Sequence, residues 1–145
     1  MSTCCVVGLG YIGLPTAAVL ALSGQRVIGV DVNAQVVDTV NRGRIHIVEP
    51  DLDQAVAASV SSGAFSAQLI PAQADVFLIA VPTPFRIGSD GIPQPNIDYV
   101  LSAARAIAPL LSPGNLLLLE STSPVGTTEL VAQVIAEESG LSIEQ

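Results

Sequence analysis

Six residues have types and spacings that suit chemistry on a bound nucleotide. Gly8, Gly10 and Gly13 stand in the run Val-Val-Gly-Leu-Gly-Tyr-Ile-Gly and fit the spacing G-x-G-x-x-G. Asp31 follows 18 residues after Gly13, at the end of a second apolar run. Thr83 lies between two prolines, and Thr122 lies two residues before Pro124. In a dinucleotide site the first glycine permits a tight turn out of a strand. The second lets the backbone approach a pyrophosphate, and the third lets a helix pack close to that strand. An acid about 20 residues on accepts hydrogen bonds from the adenosine ribose hydroxyls. A threonine hydroxyl both donates and accepts, so it can orient a ribose or a nicotinamide amide.

Each feature has an ordinary structural counterpart. Glycine-rich turns occur for packing alone, Asp31 suits a helix N-cap before Asn33-Ala34, and threonine is common in turns. The order of the surrounding elements decides between the two. Cys4 to Val7 has the length and β-branching of a buried strand, and Thr16 to Leu22 is an apolar run of small residues that suits a helix. Val27 to Val30 then forms a second strand ending in Asp31. Strand, glycines, helix, strand and acid in that order point to a dinucleotide, with the phosphates held at the helix N-terminus.

The rest of the chain supplies the frame. Ala34 to Arg44 predicts a helix with Val36, Val37 and Val40 on its apolar face, followed by a connector from Ile45 to Pro50. Asp51 opens another helix, which runs to Ser62 and stops at Gly63. Phe65 to Leu69 predicts a short edge strand, and Pro71 to Ala74 a brief turn or helix. Val76 to Val81 is the plainest buried parallel strand, ended by Pro82-Thr83-Pro84. Phe85 to Pro95, with two glycines and two prolines, predicts a long loop. A helix capped by Asn96 or Asp98 runs to Ala108, and Pro109 to Gly114 turns the chain. Leu116 to Leu119 is a strand and Thr127 to Glu138 a helix, while Leu141 to Gln145 carries no stop signal.

This alternation predicts an α/β fold, a doubly wound parallel sheet of the Rossmann type with strand order 3-2-1-4-5. The switch point then lies between strands 1 and 4. The glycine loop, Thr83 and Thr122 converge there at the C-terminal ends of strands 1, 4 and 5.

Composition bounds the function. The chain has 145 residues, which suits one domain with a full core, and half of them are apolar while 12% are charged. Net charge is −8, and the five cations are arginines spread along the chain. No basic cluster offers itself to nucleic acid. An anionic cofactor must be held by backbone dipoles more than by side-chain charge. Cys4 to Leu22 is uncharged, yet Met1-Ser2-Thr3 supplies no basic leader, and three glycines and Pro15 interrupt it. A cytoplasmic domain without a membrane segment is expected. Cys4 and Cys5 are adjacent on a strand and point to opposite faces, so they read as buried, inert thiols. His46, the single histidine, has no metal-ligand neighbours in sequence, and no metal site is expected.

The motifs resemble those of the nucleotide-sugar 6-dehydrogenases, the UDP-glucose and GDP-mannose dehydrogenase family. They are Gly8 to Pro15, Val81-Pro82-Thr83-Pro84 and Glu120 to Thr128. Within the family, Ile45 to Leu52 together with Pro82 to Phe85 is most similar to the members acting on UDP-N-acetyl-D-mannosamine. The resemblance covers essentially the whole chain. It implies an NAD-binding domain that forms the N-terminal part of a longer enzyme. Such enzymes oxidise the sugar C6 alcohol to a carboxylate with two NAD. By resemblance Tyr11, Ile12, Asp31, Thr83 and Thr122 contact NAD beside the three glycines, and Thr122 lies near the reacting carbon. A basic residue that several relatives carry five positions after the acid is here Val36. The family's catalytic cysteine and lysine, its sugar-binding domain and its dimerising helix lie downstream. The partners implied are NAD(H) and, for a full-length homodimer, a UDP-sugar. Two other classes share parts of the pattern: a methyltransferase, which does not call for two threonine-proline turns, and a non-catalytic NADH sensor.

Overall fold

The computed structural model describes residues 1–141. Five parallel strands form one sheet: β1 (Thr3–Val7), β2 (Arg26–Val30), β3 (Phe65–Gln68), β4 (Val76–Ile79) and β7 (Leu116–Leu119). Their order is β3-β2-β1-β4-β7, the predicted 3-2-1-4-5 arrangement with its switch between β1 and β4. β1 is central because both its faces are apolar. Cys4 and Val6 face one side and Cys5 and Val7 the other, and all four are buried.

Helices cover the two faces separately. On the first, α1 (Gly13–Leu22), α2 (Ala34–Asn41) and α3 (Leu52–Ser61) pack against Cys4, Val6, Phe65 and Leu78. The small side chains of Ala17, Ala18 and Ala21 are buried there, which lets α1 lie close to the sheet. On the second, α4 (Asp98–Ile107) and α5 (Thr127–Ser139) pack against Cys5, Val7, Phe77 and Ile79. α4 presents Val100, Ala103, Ala104 and Ile107 inward, a clean 3.6-residue stripe.

Several boundaries differ from the expectation. α1 begins at Gly13, earlier than Thr16. α2 ends at Asn41, because Gly43 adopts φ 69° and its amide bonds Val40 O. β4 ends at Ile79, and Pro71 to Ala74 forms neither helix nor regular turn. α5 extends to Ser139 and stops at Gly140, φ 72°. Of the terminal stretch Leu141 to Gln145, residues 142–145 lie outside the described part.

The segment Phe85 to Pro95 is not a plain loop, and this expectation is corrected. It folds as an antiparallel ribbon of β5 (Phe85–Ile87) and β6 (Pro93–Pro95), pairing Phe85 with Pro95 and Ile87 with Pro93. The ribbon's ends are bonded through Gly88 N–H to Ile92 O and Asn96 N–H to Pro84 O, at 2.9 and 2.7 Å. Antiparallel pairing alternates bonded and non-bonded pairs. Both prolines fall at the non-bonded positions, where a missing N–H costs nothing.

Candidate functional site

The glycine loop leaves β1 at Gly8 with φ 98°. A Cβ there would lie 2.5 Å from Ala80 O, so only glycine fits against the chain leaving β4. At Gly13 a Cβ would sit 1.8 Å from Gly8 O and 3.1 Å from Ala80 Cβ, so this residue sets how closely α1 approaches the sheet. At Gly10 a Cβ would meet nothing within 4 Å. The three glycines thus differ: two are filled in by protein, and the middle one faces open space. Leu9, between the first two, is fully buried and rests on Gly29. A Cβ at Gly29 would come within 2.9 Å of Leu9 Cδ2 and 2.8 Å of Phe65 Cε2.

Beyond Gly10 the chain enters α1 without a side-chain cap. Leu14 N–H donates to Gly10 O at 3.1 Å and Thr16 N–H to Ile12 O at 3.2 Å. The amides of Tyr11, Ile12 and Gly13 precede these bonds and have no backbone acceptor among the described residues. Tyr11 and Ile12 side chains are exposed beside them. Uncapped amides at the positive end of a helix, next to a glycine that leaves room, make a cradle for an anion.

Asp31 directly follows β2 and ties two elements together. Its Oδ2 accepts from Leu9 N–H at 3.1 Å, and its Oδ1 accepts from Asn33 N–H at 2.9 Å. The helix-cap role belongs to Asn33, whose Oδ1 accepts from Gln35 N–H at 2.9 Å. Asp31 is therefore fixed by the glycine loop it faces. Each carboxylate oxygen retains a lone pair for a further donor, such as a ribose hydroxyl.

On the other side of the switch point, Thr83 and Thr122 meet: their Oγ1 atoms are 3.2 Å apart. The turns that carry them are locked to β4. Ser121 is buried, and its Oγ donates to Val81 O at 2.8 Å, while Glu120 N–H bonds Ile79 O at 2.9 Å. After Thr122, Thr127 Oγ1 donates to Pro124 O at 2.7 Å and Gly126 takes φ 89°, which starts α5.

Sequence reasoning missed three of these groups. Ser121 braces the second threonine turn. The Leu9 amide orients Asp31. Glu120, at the end of β7, accepts through Oε1 from Thr16 Oγ1 on α1 at 2.8 Å. A polar side chain at the C-terminal end of a parallel strand, on the side of the sheet where the glycine loop lies, is the signal that marks Glu120 as a candidate. A groove of about 730 Å³ between β7 and α5, lined by Leu117, Val131, Ala132 and Ile135, is apart from this crevice and carries no titratable group among the described residues.

The thiols take no part in the crevice. Cys4 and Cys5 are free and buried on opposite faces of β1. Burial pushes both pKa values up, and Asp75 adds to the rise at Cys4. A backbone hydrogen bond at Ala72 opposes part of the rise at Cys5.

A glycine-rich strand-to-helix turn, an acid following the second strand and a hydroxyl pair around a switch point define a dinucleotide-binding domain. Comparison with known proteins makes the class specific. Residues 2–144 match the NAD binding domain of the UDP-glucose/GDP-mannose dehydrogenase family, and the chain belongs to that family. Its cofactor is NAD. It is 55% identical over 134 residues to UDP-N-acetyl-D-mannosamine dehydrogenase of Campylobacter jejuni, covering 92% of this chain and 32% of that protein. It is 57% identical over 136 residues to NDP-N-acetyl-D-galactosaminuronic acid dehydrogenase of Ralstonia nicotianae, covering 94% and 31%. The solved UDP-N-acetyl-mannosamine dehydrogenase of Staphylococcus aureus superposes with TM-score 0.87 at 40% identity, over 98% of this chain and 34% of that one. The chain thus spans about a third of the length of the relatives it matches. Among the described residues, no helix is long and apolar enough to cross a membrane.

Proposed function

We propose that residues 1–145 are the N-terminal NAD-binding part of a longer nucleotide-sugar 6-dehydrogenase, and that its substrate is UDP-N-acetyl-D-mannosamine. The observation that carries the reading is the convergence of four features on one crevice. These are open space at Gly10, uncapped amides at Tyr11 to Gly13, the braced Asp31 carboxylate and the Thr83–Thr122 pair.

In this assignment Gly8, Gly10 and Gly13 shape the seat of the pyrophosphate, and the amides of Tyr11 and Ile12 donate to it. Asp31 accepts from the adenosine ribose hydroxyls. Thr83 and Thr122 hold the nicotinamide half by hydrogen bonds. Bound NAD supplies hydride acceptance from the sugar C6. The chain's own part is to fix the ring's position and face. No residue here serves as the nucleophile: there is no lysine, and both cysteines are buried in β1. By family resemblance the thiolate, the lysine and the sugar site belong to a downstream domain, which also carries the homodimer contacts. The full-length enzyme works in the cytoplasm, and its uronic acid product enters polysaccharide biosynthesis.

Support for the sugar comes from the Campylobacter and Staphylococcus relatives. The Ralstonia relative, at similar identity, bears the name of a different amino sugar's uronic acid. The test is a steady-state assay of the full-length gene product with NAD and four substrates: UDP-N-acetylmannosamine, UDP-N-acetylgalactosamine, UDP-glucose and GDP-mannose. The first is expected to give the highest kcat/KM. Preference for another sugar overturns the substrate, and no NADH formation with any of them overturns the dehydrogenase.

A further inference from the structure

Three consecutive residues after β7 reach three different walls of the crevice. Thr122 reaches Thr83 beyond the end of β4. Ser121 reaches the carbonyls of Val81 and Ile79. Glu120 spans 104 residues of sequence to accept from Thr16 Oγ1, one turn into α1. The first two contacts fix the threonine turn to its neighbouring strand. Only the third, among the described hydrogen bonds, joins that turn to the helix that follows the glycine loop.

We propose that Glu120, through Thr16, is a positioning residue for the cofactor: it sets the span between the phosphate cradle and the Thr83–Thr122 pair. The inference rests on the dinucleotide reading above and adds a residue to it. α1 lies on one face of the sheet, and the chain leaving β7 goes on to α5 on the other face. A ligand that touches both the cradle and the threonines needs the two at a fixed distance. The Glu120 amide is already bonded to Ile79 O, so its carboxylate projects from a fixed base. The acceptor is a carboxylate and the bond lies at the solvent-exposed surface, so its effect on the span is modest in size. A ligand that uses only the cradle and Asp31 does not sense the span.

That difference supplies the test. ADP reaches the glycine loop and Asp31 only, whereas NADH extends to the threonines. Thr16→Val removes the donor with little change of shape, and Glu120→Ala removes the acceptor. Each is expected to weaken NADH binding by about three- to tenfold and to leave ADP binding within about twofold. The double substitution should be no worse than the stronger single one, since both remove the same bond. Glu120→Gln keeps an accepting oxygen and should recover most of the loss. Thermal melts and circular dichroism of each variant report the fold. Equal losses for ADP and NADH show damage to the cradle itself and overturn the proposal. So do unchanged NADH affinity or additive losses in the double variant. An unmodified chain that binds ADP but not NADH overturns the span argument while leaving the cradle. One that binds neither overturns the dinucleotide reading as well.

Discussion

The hydroxyls of Thr83 and Thr122 lie 3.2 Å apart although 39 residues separate them in sequence. A hydroxyl has one proton to give. When one of the pair donates to the other, the second keeps its proton for a ligand and the first keeps a lone pair. The two therefore act as one oriented unit. Replacing either with valine frees its partner to rotate.

Their effects on binding should be non-additive. Thr83→Val and Thr122→Val are each expected to weaken NADH by about 0.5–1.5 kcal/mol, the usual net value of a hydrogen bond. The double variant should lose less than the sum, by a coupling of the same order. Isothermal titration of the four proteins checks this. Strict additivity would show that the hydroxyls work independently.

Asp31 should decide between NAD and NADP. Its carboxylate is held by the Leu9 and Asn33 amides, and in the proposed assignment it accepts from the ribose hydroxyls, where it would repel a 2′-phosphate. Hydrogen bonds to a charged group are worth about 1.5–3 kcal/mol, so Asp31→Ala should weaken NADH roughly ten- to hundredfold. The unmodified chain should bind NADH far more tightly than NADPH. Equal affinities would remove Asp31 from the ribose.

The glycines should separate into binding and folding roles. Gly10→Val puts a side chain into space that no protein atom occupies and that the proposed site gives to the pyrophosphate, so binding should vanish while circular dichroism stays unchanged. Gly13→Ala places a Cβ 1.8 Å from Gly8 O, which the backbone must move to accept. Overpacking of this kind costs about 1–3 kcal/mol, so chemical denaturation should show a loss of at least that size. A Gly13→Ala protein of full stability would mean that α1 can shift freely.

The thiols give a pH-dependent check. Both are raised above their ordinary value of 9.0 by burial, so they stay protonated when the unfolded chain's thiols ionise. The folded state then holds more protons than the unfolded one above that pH. Stability should fall as pH rises past about 9, and a thiol reagent at pH 8 should label neither cysteine until the protein unfolds. Rapid labelling of the native chain would contradict the burial of Cys4 or Cys5.

Much of this was legible because the signals are local. The turn at Gly8, the acid after β2 and the strand order follow from runs of a few residues, and Thr83 and Thr122 were flagged by their place after strands. The Thr16–Glu120 bond was not legible, since nothing near either residue names a partner 104 positions away. The bracing role of Ser121 rests on the carbonyls of Ile79 and Val81, some 40 positions earlier, and no local signal names them. The ribbon at Phe85 to Pro95 was hidden by its prolines, which break a ladder only when they fall on a bonded position. Gly29 was read as part of a strand, and its role as the seat of Leu9 and Phe65 needs the packed core to be seen.

The central claim is that this chain carries the main polar contacts to NAD. A fluorescence titration of the 145-residue chain with NADH tests it most directly. In a crevice open to water, electrostatic contacts are weaker than in a closed one. Saturable binding is expected in the range of tens to hundreds of micromolar, about −5 to −6 kcal/mol. Absence of binding at millimolar NADH would contradict it.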